Sequence, residues 1–188
     1  MSPFSDRSLS IRSIAFLAAS LALLGPDPSH AQVAVELRAG AAIGKYAPTA
    51  AGLETSPGLS WSASLLGRPS PWASLYLGYS HAAFACEEGF CIGQDVTVSA
   101  SGWGGGVRVH PAGWAWVQGG IARLGTVVDA GVTKDHTAPE LGYVAGAGFS
   151  VPLFGAVRLV PGVVYRAVGS GGERTAAVAG ELGITVGS

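Results

Sequence analysis

From Val33 onward the chain repeats one unit: a short segment with apolar residues at every second position, a Gly, Pro or polar turn, then another such segment. Successive side chains on a β-strand point to opposite faces. The first segment therefore puts Val33, Val35, Leu37, Ala39, Ala41 and Ile43 on one face and Ala34, Glu36, Arg38, Gly40, Ala42 and Gly44 on the other. One face is lipid-like; the other is polar or very small. Runs of this kind bounded by turn residues predict strands near 33–46, 58–67, 72–84, 95–109, 114–127, 139–151, 156–167 and 175–187.

The predicted connections alternate in kind. Tight turns at Arg68-Pro69-Ser70-Pro71, His110-Pro111-Ala112-Gly113 and Pro152-Leu153-Phe154-Gly155 alternate with longer loops at 47–57, 85–94, 128–138 and 168–174. Short turns on one rim and long loops on the other characterise outer-membrane barrels. An even strand number closes the sheet and leaves no unpaired edge in lipid. The fold class expected is all-β: an eight-stranded antiparallel up-and-down transmembrane β-barrel.

Charge placement decides which face is inside. Leu141, Tyr143, Ala145 and Ala147 oppose Glu140, Gly142, Val144 and Gly146, and Val178, Leu182 and Ile184 oppose Ala179, Glu181 and Gly183. A soluble lipocalin-like barrel binding an apolar ligand would carry its charges outside and its apolar residues within. A charge facing lipid at the midplane costs about 2–4 kcal/mol, so charges meeting inside are the cheaper arrangement. Glu36, Arg38, Arg108, Glu140, Arg158, Arg166 and Glu181 are thus the candidates for an interior charged network, read as a structural plug in preference to a pore lining. Pairings require the register.

Aromatic residues reinforce the assignment. Trp61, Trp72, Tyr79, Trp103, Trp114, Tyr143, Phe149 and Tyr165 fall near strand ends or in the outward phase, where aromatic girdles sit. Trp116 shares its phase with Gln118 and is expected to point inward near the short-turn rim. Arg123 is in the outward phase and must snorkel near the other rim or follow a bulge. The run Gly102-Trp103-Gly104-Gly105-Gly106 has no Lys and no following helix, so it is no phosphate loop; it is expected to let a strand bend.

The segment before the repeat has a different character. Arg7 and Arg12 precede an apolar run from Ile14 to Leu24, a Pro26-Asp27-Pro28 break and then Ser29-His30-Ala31, which reads as a cleaved secretory signal peptide ending before Gln32. The run is shorter than the roughly 20 residues of a membrane-spanning helix. The organisation expected is a signal peptide over 1–31 and a barrel domain over 32–188. Export makes a disulfide between Cys86 and Cys91 the expected state, stiffening one loop.

Composition narrows the function classes. With charged residues at only 12% and a formal net charge of −1, the chain offers no electrostatic footprint for nucleic acid. No spacing nominates a metal site or a cofactor. Glu87 and Glu88 read as a solvated loop rather than a cation bridge. His81, His110 and His136 are dispersed and read as turn or rim residues.

On its alternating strands, rim asymmetry and charge phase over residues 33 to 187, the chain resembles the small outer-membrane β-barrel family that includes outer-membrane proteins A and X. The resemblance implies a monomer inserted by the barrel-assembly machinery after periplasmic transit, in contact with outer-membrane lipid and lipopolysaccharide. Two departures stand out. Such proteins end on an aromatic residue, whereas Leu182, Ile184 and Val186 run in phase to Ser188. The barrel that deacylates lipid A needs a His and a Ser two residues apart, whereas His81 is preceded directly by Ser80 and followed by Ala82 and Ala83. The expected function is therefore non-enzymatic, structural or surface-interacting through the extracellular loops. A narrow pore for small solutes and a soluble periplasmic barrel with an apolar ligand are the alternatives.

Overall fold

The computed structural model of the chain describes residues 32–47, 55–86, 96–131, 133–169 and 174–187. The expected signal peptide and the expected Cys86–Cys91 pairing fall outside the described residues. Among the described residues there are eleven strands: β1 (Gln32–Ala47), β2 (Thr55–Ser56), β3 (Gly58–Ser70), β4 (Ala73–Cys86), β5 (Val96–Ala112), β6 (Ala115–Asp129), β7 (Lys134–His136), β8 (Glu140–Phe149), β9 (Val151–Phe154), β10 (Val157–Val168) and β11 (Arg174–Gly187). β8 and β9 are one stave interrupted at Ser150, since both pair with β10. The short β2 and β7 extend the long-loop side by pairing with β4 and β6. Eight antiparallel staves remain, and β1 closes the ring against β11.

The register fixes the barrel's dimensions. Following paired residues from Ile43 through Val178, Tyr165, Ala145, Gly119, Val107, Leu75 and Gly67 returns to β1 at Val33, a shear of ten residues. At about 3.3 Å per residue, against eight inter-strand spacings of about 4.8 Å, this tilts the strands by about 40°. The stretch from Val33 to Ile43 then covers about 25 Å of height, which is that of the lipid-facing band in such barrels. Leu37, Leu77, Ile121, Leu182 and Ile184 are exposed on the outside within that band. Trp61, Tyr79 and Trp103 form a contiguous aromatic cluster at its upper edge, with ring centroids 5.6 Å apart at each contact. Trp114 stacks on Phe149 at its lower edge, at 5.5 Å.

Two expectations are corrected. The tight turns fall later than the prolines suggest, at Pro71-Trp72, Gly113-Trp114 and Gly155-Ala156. Pro69 and Pro111 sit instead in register shifts, between Gly67 and Ser70 and between Val109 and Ala112. A residue without an N–H is tolerated where the ladder is already broken. Arg123 lies in unbroken pairing and snorkels, its Nε donating to Pro139 O at 3.3 Å. The glycine run of β5 keeps continuous register with both neighbours, and a Cβ at Gly102 or Gly106 would collide with the adjacent strand's backbone.

The second correction concerns the inward face, which is polar only toward the short turns. On β5, Val96, Val98 and Ala100 are buried inside while Thr97, Ser99 and Ser101 face out; past Trp103, Val107 and Val109 face out while Arg108 and His110 face in. The pleat keeps its phase and the polarity reverses. Above the upper aromatic edge the outside meets water, so apolar side chains gain by pointing inward, as in a soluble barrel. The buried apolar set is Ala42, Ala82, Phe84, Val96, Val98, Ala177 and Ala179, adjoined below by Ala122, Leu124, Val144, Val164 and Val168.

Candidate functional site

The lumen below this apolar layer holds the charged side chains. Glu36 on β1 is the hub. Arg108 on β5 donates to it through both terminal nitrogens at 2.7 Å, Thr185 Oγ1 donates at 2.9 Å, and Arg38 Nη2 lies 2.7 Å from Oε1, off hydrogen-bonding geometry. A two-pronged guanidinium–carboxylate pair is the strongest geometry available to these groups. Arg108 also donates to Gln118 Oε1 from Nε at 3.2 Å and from Nη2 at 2.8 Å.

Trp116 holds the two arginines from below. Its ring lies 4.4 Å from Arg38 Cζ and 4.7 Å from Arg108 Cζ, and its Nε1 donates to Phe149 O at 3.0 Å. Guanidinium groups stack favourably on an indole face. Gly148 and Gly162 make room for the ring, because a Cβ at either position would collide with it.

A second cluster sits higher. Arg166 Nη2 donates to Glu181 Oε1 at 2.8 Å, and Ser60 Oγ donates to the same oxygen at 2.6 Å. Glu36, Arg38, Arg108, Arg166 and Glu181 are all at most 6% exposed. Between the two clusters lies a cavity of about 30 Å³, onto which Tyr76 also opens. That volume suits a single water bridging buried polar groups.

The two other candidate residues stand apart from these clusters. Glu140 begins β8 opposite Leu124, six residues and therefore roughly 20 Å along the strand from the Gly146–Gln118 level of the network. Arg158 lies at the short-turn end, lining a vestibule of about 550 Å³ with Arg68, His110, Ser74 and the lower faces of Glu36 and Arg108. Sequence reasoning passed over Arg68, His110, Gln118 and Trp116 as site residues. Their common signal was inward phase near the short-turn end of a strand.

Outside the membrane-spanning part, Asp129 pairs with Lys134 at 2.6 Å across the β6–β7 hairpin. The Lys134 ammonium, with Gly131 N as a further donor, holds the Asp129 carboxyl below the usual carboxylate range.

No family model matches the chain, and no curated protein matches it in sequence. Solved structures do. Neisserial surface protein A superposes with a TM-score of 0.56 at 17% identity, covering 81% of this chain and 97% of its own. Ail, the attachment invasion locus protein of Yersinia pestis, seen in complex with the heparin analogue sucrose octasulfate, gives 0.55 at 10% identity, covering 85% and 99%. The outer membrane protein AlkL, determined in DMPC lipid bilayers, gives 0.51 at 14% identity, covering 87% and 95%. The fold is that of the small eight-stranded outer-membrane β-barrels.

Proposed function

We propose that this chain is an integral protein of the bacterial outer membrane, closed to solute flow, that acts as a structural or surface-interacting component through its long-loop rim. The observation that carries this reading is the layered lumen. Ions entering the charged lower half meet, above it, a layer in which Phe84, Val96, Val98 and Leu124 fill the interior, each at most 2% exposed. Such a layer, whose buried Thr126 and Thr175 hydroxyls bond to each other, offers an ion little in exchange for its hydration. This favours the plug over the narrow pore, and the outward apolar band argues against a soluble periplasmic barrel.

In this reading a signal peptide delivers the chain to the periplasm and the barrel-assembly machinery inserts it as a monomer among outer-membrane lipid and lipopolysaccharide. The short turns then face the periplasm. The Cys86–Cys91 disulfide stiffens one extracellular loop. The role is non-enzymatic and uses no cofactor. Neisserial surface protein A, of the same fold, is a surface protein, which is in keeping with a surface-interaction role here.

Reconstitution into a planar bilayer tests the closed lumen. The folded barrel is expected to leave the bilayer insulating in molar salt. Reproducible single-channel steps from purified, folded protein would overturn the plug in favour of the pore.

A further inference from the structure

We propose that the vestibule at the short-turn end is a binding site for a small tetrahedral oxyanion of the phosphate or sulfate class. The cavity of about 550 Å³ opens at the short-turn rim and is floored by Trp116. Three basic side chains enter it from separate walls: Arg68 from β3, His110 from β5 and Arg158 from β10. In the ring of eight staves these walls are two, three and three positions apart, so the three groups surround the axis. They also share one level. Arg68 and His110 each stand three residues before a two-residue turn, and Arg158 stands two residues after one.

Among the described residues lining this space the one carboxylate is Glu36, and its oxygens are already engaged by Arg108, Arg38 and Thr185. The Arg68 guanidinium is left facing those of Arg158 and Arg108, and the His110 imidazole stands beside all three. Mutual repulsion among like charges is relieved by an anion between them. A planar carboxylate presents two oxygens in one plane, whereas donors converging from three sides match the several faces of a tetrahedral oxyanion. Ser74 Oγ, 3.2 Å from His110 Nε2, steadies the imidazole and adds a hydroxyl to the lining.

Titration calorimetry of the folded full chain in a neutral detergent at low ionic strength, with inorganic phosphate and then sulfate as the probes, tests this. One saturable site is expected. Arg68→Gln and Arg158→Gln are each expected to weaken it tenfold or more while the protein keeps its folded-barrel gel mobility, and Arg123→Gln, on the outer surface, is expected to leave it unchanged. Absence of saturable binding by the unaltered protein, or binding that survives in the Arg68→Gln/Arg158→Gln double variant, would overturn the proposal. Neither outcome depends on whether the lumen conducts.

Discussion

Glu36 compensates two guanidinium groups at once. It stands against Arg38 and Arg108, and both arginines rest on one indole ring. Removing one partner of a buried pair leaves the other charges without compensation and typically costs about 3–5 kcal/mol. Glu36→Gln is therefore expected to lower barrel stability by that order in urea titrations followed by gel mobility. Glu36→Asp, which keeps the charge, is expected to lose less. Equal stability of the glutamine variant and the unaltered protein would mean that water, rather than Glu36, compensates the arginines. The charges of this network were legible in the sequence because period-two phase assigns each one a face. Their pairing was not. Glu36 and Arg108 are 72 positions apart, and only the register of β1, β3, β4 and β5 brings them together.

At the scale of the strand, the same alternation serves two solvents. On β4 and β5 the outward positions are apolar below Trp103 and small or polar above it, while the inward positions change the opposite way. The phase was plain in the sequence and the reversal was missed, because an apolar residue at every second position looks the same whichever face it occupies. The clue was present in Val96-Thr97-Val98-Ser99, where the polar residues take the phase that holds Val107 and Val109 lower down. A direct consequence follows for two outward-facing positions. Leu77→Arg, within the band, is expected to destabilise the barrel by about 2–4 kcal/mol, whereas Thr97→Arg, above it, is expected to cost less than about 1 kcal/mol. Refolding titrations in lipid vesicles measure both, and equal costs would contradict the placement of the lipid boundary. The prolines teach a related lesson. Pro69 and Pro111 announce a broken ladder, which the sequence alone reads as the turn itself although the turn comes two residues later.

Across the whole molecule, closure of the sheet and the outward apolar band are one requirement seen twice. In hydrocarbon every backbone N–H and C=O must find a partner within the protein, and β1 pairing with β11 removes the last open edge. Ten residues of shear set the tilt, the tilt sets the band's height, and the aromatic residues mark its two limits. The measurement that tests this account most directly is the electrophoretic mobility of the chain taken from lipid vesicles, unheated and boiled. Protein that stays with the vesicles after alkaline washing and migrates differently before and after boiling is the predicted result. A chain that leaves the vesicles in the wash and shows one mobility throughout would contradict a barrel whose apolar face belongs in lipid.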